Sequence, residues 1–298
     1  MTPTIPQNWP NRAFSRQKLA GGIDWHVQID GVAGRPVVLL LHGTGGSTHE
    51  WADVLPAIAT HAHVVAPDLP GHAFSRVLTL AESETSATTR RADPWSLSGM
   101  ASAVGELMQA LELRPDLIVG HSAGAAVALR MTLDGLAAPR GIIGFNPALI
   151  PPPDFWVDIL APFAALLVES SWLARSAAWA SRQGGLVASM LASSGATLTP
   201  EHVARYAYLF AMPAHCAAAL GMMNKWNLPA LVRDSAALTV PFTAYAGARD
   251  RWVPEDALAR HLERIPSSTL VSVPDIGHLM PEEAPAACVA AIRRVIGQ

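Results

Sequence analysis

The feature that most constrains the fold is a set of short apolar segments, which recur along the chain and are separated by stretches with a helical pattern. Each segment is rich in Val, Ile, Leu or Phe and is bounded by turn residues. Such segments are typical of strands that are buried on both faces of a parallel sheet. They are PVVLLL at 36–41, HVVAPD at 63–68, DLIVGH at 116–121, GIIGF at 141–145, PFTAYAG at 241–247 and TLVSV at 269–273.

Between these segments the apolar residues follow a helical period. In residues 97–111 they recur three and four positions apart, and we expect Asp93 and Pro94 to cap this helix and form its first turn. Residues 23–29 alternate as in a half-exposed strand. This order predicts an α/β fold with a mostly parallel, eight-stranded sheet that is flanked by helices.

The alternation is interrupted once, after the segment at 141–145. Prolines at 151–153 end the pattern, and the chain up to about residue 235 is rich in Ala, Leu, Met and Trp. Helices inserted there would lie over the carboxyl edge of the sheet, where open α/β sheets bind ligands. We therefore predict a core of residues 1–146 and 236–298, and a helical lid (cap) of residues 147–235 inserted after strand six.

Composition and charge exclude several classes of protein. The 298 residues are half hydrophobic, which is enough for a large core, and the net charge is -3 without a basic run, so no nucleic acid partner is expected. Two cysteines, Cys216 and Cys288, are too few for a disulfide framework. They suggest a reducing compartment and a cytoplasmic location, and the N-terminus lacks the pattern of a secretory signal.

Membrane contact is limited by the same sequence. The most apolar long stretch, residues 155–180, is interrupted by charged residues and a proline, so we expect no transmembrane helix. The mean hydropathy of +0.25 leaves peripheral membrane association open, although a core rich in Ala and Leu is the simpler explanation.

A serine enclosed by glycines follows the segment at 116–121. Residues 120–124 (GHSAG) fit the pattern G-x-S-x-G, with a strand-like segment before them and a helical segment after them. In that context the serine lies on a sharp turn that requires small neighbours, and the N-terminus of the helix favours developing negative charge. A chance match would not explain both flanks, so we predict that Ser122 is a nucleophile.

A serine nucleophile requires a base and an acid that orients the base. Asp250 and His278 each follow a predicted strand, and the chain order Ser122, Asp250, His278 is the order of hydrolases built on such a sheet. We therefore predict these three residues as catalytic. Asp275 is the competing acid, although it lies in the same turn as His278, and Asp256 fits better in the first turn of a helix.

The glycine-rich segment HGTGG at 42–46 follows the first buried strand. An oxyanion hole needs two backbone N–H groups that point at one position, and the candidates are those of Thr44 and Ala123. The alternative is a loop that binds phosphate. The segment lacks the lysine of a P-loop and does not fit G-x-G-x-x-G, so we favour the oxyanion hole.

Together these motifs resemble the α/β-hydrolase superfamily across nearly the whole chain. The resemblance rests on HGTGG, GHSAG, PDLPGH at 67–72, GARD at 247–250 and DIGH at 275–278. Ala73 departs from it, since hydrolases often have glycine at this position. The resemblance implies a serine esterase with the catalytic triad given above.

A narrower resemblance involves segments that extend beyond these shared motifs: NWPNR, GGIDWHVQ, HGTGGSTHEW and, in the predicted lid, PAHCAAALGMMNKWNLPALVRD at 213–234. They resemble the α/β-hydrolases of bacteriochlorophyll biosynthesis that act as accessory proteins of magnesium chelatase. This implies a role in photosynthesis, near the insertion of magnesium into protoporphyrin, and a contact with magnesium chelatase.

Three functions are compatible with these residues. An acyl-transfer cycle at Ser122 would hydrolyse an ester of a small apolar molecule that resembles a tetrapyrrole. A hydrolase scaffold could instead bind a porphyrin, or assist the chelatase, without catalysis, because a fold does not fix a function. The third function is that of a general carboxylesterase.

In the predicted lid, aromatic and methionine side chains offer an adaptable apolar surface to such a ligand, although ordinary packing of the lid helices is an alternative for each of them. Arg175, Arg182, Arg205 and Lys225 could pair with its carboxylates. The candidate substrate-binding residues are Trp156, Trp172, Met212, Met222, Met223 and Trp226.

We expect neither a metal nor another cofactor. His215 lies beside Cys216 and could act as an axial ligand of a metal porphyrin, but a lone histidine in an Ala-rich helix is more often an interior residue. The spacing of the histidines and cysteines does not resemble a metal site.

Overall fold

The computed structural model describes residues 4–79, 82, 93–150 and 185–297. Within this part of the chain, nine strands form one sheet in the order β1-β2-β4-β3-β6-β7-β8-β9, with β5 paired to β2. The strands are β1 (Ser15–Ala20), β2 (Ile23–Gly31), β3 (Val37–Leu41), β4 (His63–Pro67), β5 (Arg76–Val77), β6 (Leu117–His121), β7 (Gly141–Phe145), β8 (Phe242–Gly247) and β9 (Ser268–Val273).

The helices that the structure describes surround this sheet. They are α1 (Val54–Ala59), α2 (Leu97–Ala110), α3 (Ala123–Leu133), α4 (Gly185–Ser193), α5 (Pro200–Phe210), α6 (Pro213–Lys225), α7 (Leu228–Asp234), α8 (Glu255–Leu262), α9 (Met280–Glu283) and α10 (Pro285–Ile296). Short 3-10 helices cover Arg12–Phe14, Thr48–Trp51 and Ser235–Ala237.

The sheet is mostly parallel, as the sequence predicts. Strands β3, β4, β6, β7, β8 and β9 pair in parallel, whereas β1, β2 and β5 pair antiparallel. All six apolar segments form strands of the parallel part. The main path has eight strands, the number that the sequence predicts, although the sequence analysis did not locate β1. Strand β5 is an additional pair of residues that bonds to the start of β2.

Both faces of the central strands β3, β6 and β7 are buried, which explains why they lack polar alternation. The expectation of a buried strand is wrong for residues 269–273, because β9 is an edge strand with no fully buried residue. In β3, Leu39 and Leu41 join a core cluster that includes residues of α2 and α3. Val38 and Leu40 point the opposite way, into a second cluster with residues of α1 and α10. Alternate residues of the same strand therefore belong to two different cores.

Helix α2 begins later than the sequence suggests. Its N-cap is Ser96, whose hydroxyl accepts a hydrogen bond from the Gly99 N–H. The expectation that Asp93 and Pro94 form the cap and first turn is wrong, because the Asp93 carboxylate accepts instead from the Trp95 N–H in a turn before the helix. Ser96, three residues after the expected cap, instead provides the acceptor for an unpaired backbone N–H group in the first turn of the helix.

The described part of the predicted lid is helical. Helices α4 to α7 lie between β7 and β8, and no strand occurs in residues 185–241. Tyr206 and Phe210 of α5 pack in one cluster with Trp252 and Leu279, which follow β8 and β9. These helices therefore contact the carboxyl edge of the sheet; the division into core and lid stays a prediction.

Among the described helices, none alone has the length and apolar composition to cross a bilayer. Helices α5 and α6 reach them only when counted together, and the two are bent by 91° at their break.

Candidate active site

Ser122 occupies a strained turn between β6 and α3. Its φ of 47° and ψ of -113° are uncommon for a residue with a side chain. The turn also requires glycine on both sides. A Cβ on Gly120 would lie 2.2 Å from the Ala125 nitrogen, and one on Gly124 would lie 2.1 Å from the Leu41 carbonyl oxygen. These close approaches explain the glycines of the GHSAG segment.

The structure brings Ser122, His278 and Asp250 together from the ends of three strands. Ser122 Oγ lies 2.9 Å from His278 Nε2, and His278 Nδ1 lies 2.7 Å from Asp250 Oδ2. All three residues are buried. The chain of hydrogen bonds therefore runs from the hydroxyl through the imidazole to the carboxylate, in the order that the sequence predicts.

The Asp250 carboxylate accepts several further hydrogen bonds. Its Oδ1 accepts from the N–H groups of Trp252, at 2.8 Å, and Val253, at 2.9 Å. Its Oδ2 also accepts from Asn146 Nδ2 at 2.5 Å. Such donors stabilise an ionised carboxylate that orients His278. Asn146 was missed by the sequence analysis, although its position directly after β7 is a usable signal.

The competing acids lie elsewhere. Asp275 is exposed, in a turn with φ of 60°, and His278 Nδ1 is bonded to Asp250 instead. Asp256 lies in the first turn of α8, as expected, and pairs with Arg260 at 2.9 Å. The geometry therefore selects Asp250.

The glycine-rich loop after β3 lies beside Ser122. Thr44 and Ala123 line the same cavity as Ser122 and His278. His42 fixes the start of the loop, since its Nε2 accepts from the Leu69 N–H at 2.8 Å and its Nδ1 donates to the Gly43 carbonyl at 2.7 Å. Burial lowers the pKa of His42, which keeps this ring neutral. The role of the Thr44 and Ala123 N–H groups stays a prediction.

A group of buried titratable side chains borders this loop, and the sequence did not reveal it. Its members are Glu50, His121, Tyr206 and Glu282, which come from four different elements. The Tyr206 hydroxyl donates to Glu282 Oε2 at 2.8 Å. Burial, with a further effect of the Glu50 charge, raises the pKa of Glu282 to about 8. Glu282 is therefore a neutral acid at pH 7.

A cavity of about 150 Å³ opens above Ser122 and His278. An engineered cavity of roughly this volume binds benzene, so the space suits a compact apolar group. Apart from Ser122, His278, Glu50, His121, Tyr206 and the glycine loop, the described lining is apolar. It includes Met190, Leu191, Phe210, Ala219, Met222, Met223, Trp226 and Trp252.

The proposed substrate-binding residues divide into three groups. Met222, Met223 and Trp226 line this cavity. Met212 does not line it, because it immediately precedes α6 and packs against the cluster of Trp9 and Phe74. Trp156 and Trp172 lie outside the described residues, as do Arg175 and Arg182.

The described cations of the lid are engaged on the protein itself. Arg205 pairs with Glu201 at 2.5 Å, and Lys225 pairs with Asp93. These pairs supply no direct support for a carboxylate-binding role. Within the described ranges, no group of three or more metal-ligating side chains occurs.

His215 is an interior residue that links α6 to two loops of the core. Its Nε2 donates to the Gly45 carbonyl at 3.0 Å, and its Nδ1 accepts from the Ala73 N–H at 3.1 Å. Both ring nitrogens are therefore occupied within the protein. Ala73 has φ of 44°, so this backbone conformation, which favours glycine, is adopted here by alanine.

Comparison with known proteins gives consistent matches. Residues 38–291 match the family described as "Alpha/beta hydrolase family". The chain is 34% identical to the "Magnesium-chelatase 30 kDa subunit" of Rhodobacter capsulatus, over 94% of this chain and 93% of that protein. It is 25% identical to "Lipase LipV" of Mycobacterium tuberculosis, over 92% and 98% of the two chains. An alpha/beta hydrolase fold protein from Burkholderia ambifaria superposes with a TM-score of 0.74 at 24% identity, over 94% and 97%.

Proposed function

Because this chain belongs to the alpha/beta hydrolase family, we propose that it is a serine hydrolase that cleaves carboxylic esters with a compact apolar group. The observation that carries the proposal is the hydrogen-bond chain from Ser122 Oγ through His278 to Asp250, at 2.9 and 2.7 Å. In this chain Ser122 would be the nucleophile, His278 the general base and Asp250 the acid that orients it.

Acylation begins when Ser122 Oγ attacks the ester carbonyl carbon and its proton passes to His278 Nε2. The negative charge on the carbonyl oxygen is stabilised by the N–H groups of Thr44 and Ala123. Collapse of the tetrahedral intermediate breaks the bond to the alcohol oxygen, which receives the proton from His278. An acyl group then remains on Ser122.

Deacylation repeats these steps with water. His278 Nε2 takes a proton from the water, whose oxygen attacks the acyl carbon, and the proton then passes to Ser122 Oγ as the acid leaves. Asp250 accepts from His278 Nδ1, so the neutral ring presents its unprotonated Nε2 to the serine or the water. The hydrogen bonds from Trp252, Val253 and Asn146 keep that carboxylate in place.

We further propose that the substrate is a carboxylate methyl ester of a tetrapyrrole, at the step of magnesium chelatase. The name of the Rhodobacter capsulatus relative supports the step. The cavity supports the ester, because about 150 Å³ holds a methyl ester arm and its apolar neighbours while a macrocycle would extend out of it.

The test is ester hydrolysis by the purified protein. We expect methanol release from a tetrapyrrole methyl ester, at a higher kcat/KM than for short p-nitrophenyl esters, and loss of turnover in Ser122→Ala. Equal turnover of p-nitrophenyl esters would indicate a general carboxylesterase. Absence of turnover on both classes contradicts the proposal.

A second candidate function is a non-catalytic accessory role in which the protein binds a porphyrin or contacts the chelatase. The word "subunit" in the name of the relative favours it. The two candidates differ in their dependence on Ser122. If Ser122→Ala supports reconstituted magnesium chelatase as well as the unmodified protein does, the accessory role is favoured over hydrolysis.

A further inference from the structure

His121 precedes the proposed nucleophile, and its imidazole is buried beneath the turn. Its Nδ1 lies 2.7 Å from Glu50 Oε2, and its Nε2 lies 2.9 Å from the main-chain carbonyl oxygen of His278. The His278 carbonyl can only accept, and an ionised Glu50 can only accept as well. With Glu50 ionised, both ring nitrogens therefore donate, and the ring is an imidazolium with Glu50 as its counter-charge.

Glu50 lies against the glycine-rich loop at 42–46, here called the oxyanion loop, as well as against His121. Its Oε2 accepts a hydrogen bond from the Gly43 N–H at 3.1 Å. A Cβ on Gly46 would lie 1.7 Å from Glu50 Oε1, so the loop closes tightly over the carboxylate. One carboxylate thus contacts both ends of the turn that carries Thr44.

The charges of the pair agree with its surroundings. Burial alone would raise the pKa of Glu50, but the charge and hydrogen bond of His121 outweigh this and lower it to about 2. Burial would likewise lower the pKa of His121, but Glu50 and the His278 carbonyl raise it.

We propose that Glu50 and His121 are positioning residues, whose ion pair fixes the oxyanion loop and the backbone of His278 relative to Ser122. Neither side chain takes part in the bond changes of the hydrolytic cycle. The pair acts through Gly43 on one side and through the His278 carbonyl on the other. The inference rests on the proposed function, since it assigns the support of that same site.

Glu50→Gln should remove one hydrogen bond of this arrangement and keep the others. The amide oxygen of this variant can still accept from His121 Nδ1 and from Gly43, but a neutral His121 has no second proton. Its Nε2 then faces the His278 carbonyl as a second acceptor, and this link is lost. Since a misplacement of about 1 Å costs up to about 100-fold in rate, we expect kcat to fall about 10- to 100-fold with little change in KM.

Two substitutions of His121 distinguish its hydrogen bond to Glu50 from its hydrogen bond to the His278 carbonyl. The amide nitrogen of His121→Gln reaches roughly the position of Nε2 and can donate to the His278 carbonyl, whereas that of His121→Asn reaches the position of Nδ1 and can donate only to Glu50. We expect the Asn variant to lose more kcat than the Gln variant. Glu282→Gln is the matched control, because the Glu282 side chain accepts from Tyr206 and makes no hydrogen bond to Gly43 or to the His278 carbonyl; its kcat should stay within about threefold.

The charge state is measured directly by NMR of protein with 15N-labelled histidine. At pH 7 to 8 we expect a ring with both nitrogens protonated that is absent in His121→Asn and changes to a neutral ring in Glu50→Gln. A neutral His121 in the unmodified protein overturns the inference, whether or not the protein is an esterase. Unmodified kcat in Glu50→Gln, with the imidazolium present in the parent, also overturns it.

If the unmodified protein neither hydrolyses esters nor reacts at Ser122, the proposed function fails, and the positioning role is judged on His278 alone. Its Nδ1 proton is bonded to Asp250 at 2.7 Å, so it should give a low-field proton resonance. We expect Glu50→Gln to shift or broaden this resonance and Glu282→Gln to leave it unchanged. An unchanged resonance in Glu50→Gln overturns the role.

Discussion

The side-chain amide of Asn146 donates a 2.5 Å hydrogen bond to Asp250 Oδ2, the same oxygen that accepts from His278 Nδ1. The acid is therefore held from the end of β7 as well as from its own loop. Asn146 has φ of 47°, a conformation that asparagine tolerates better than most residues. Both its backbone conformation and its amide N–H donor suit this position.

Replacing Asn146 tests how much this support contributes. We expect Asn146→Ala to lose about 1.5 to 3 kcal/mol of unfolding free energy, the range for a hydrogen bond to a charged group, and to lower kcat. Denaturant unfolding and ester turnover measure the two effects. Asn11→Ala is the matched control, because Asn11 also has a positive φ, of 56°, and donates to a carbonyl, that of Ala52. Equal kcat in both variants would contradict the support of Asp250.

The turn at Ser122 should not tolerate a methyl group at Gly124. A Cβ there would meet the Leu41 carbonyl oxygen at 2.1 Å, and backbone cannot move aside as a flexible side chain can. We expect Gly124→Ala to lose about 3 kcal/mol or more of unfolding free energy. Gly105→Ala, in α2, is the control and should have little effect, because a Cβ there would lie 3.5 Å from the nearest atom of Leu136, an ordinary contact. Thermal melts of the two variants check this, and similar melting temperatures would contradict the close approach.

Glu282 should make the stability depend on pH. Burial raises its pKa from the ordinary value of 4.5 to about 8, so the folded state holds a proton that the unfolded state releases. Its contribution to stability is therefore fully present below about pH 4.5 and is lost as pH rises through about 8. Comparing unfolding free energies with Glu282→Gln between pH 6.5 and 8.5 isolates this effect. We expect the parent to lose stability relative to the variant across that range; parallel curves would contradict a raised pKa.

Filling the cavity should change substrate preference more than chemistry. Ala219 lies in α6 and lines the cavity, so Ala219→Phe removes space that a bulky ester needs. We expect kcat/KM for bulky apolar esters to fall at least about 10-fold and that for acetyl esters to fall less. Ala217→Phe is the control, because Ala217 lies in the same helix but lines a separate groove. A uniform loss on all esters in Ala219→Phe would contradict the assignment of the cavity.

The sequence was sufficient to predict the sheet and to bring Ser122, Asp250 and His278 together. Each of these residues lies within five residues of the carboxyl end of an apolar strand, and parallel strands present these ends at one edge. The positions of these residues along the chain therefore predicted that their side chains lie close together in the fold. The same reasoning would have found Asn146, had every polar residue after a strand been considered.

The support of the site could not be predicted in this way. Glu50 and His121 are 71 residues apart, and Tyr206 and Glu282 are 76 apart, and neither pair has a periodic signal. Buried ion pairs have the same residue types as solvated surfaces. Met212 was wrongly predicted to contact the ligand. The sequence shows that a methionine lies in the lid, but not that its side chain packs against another cluster instead of the cavity.

The central claim is that Ser122 is an activated nucleophile, and the most direct measurement is covalent labelling by a fluorophosphonate, followed by mass spectrometry of the intact and digested protein. The account predicts one adduct per chain, located on Ser122, absent in Ser122→Ala and formed far more slowly in His278→Asn, because the base 2.9 Å from the hydroxyl is then missing. A protein that stays unlabelled, or one in which Ser122→Ala is labelled as fast as the parent, would contradict it.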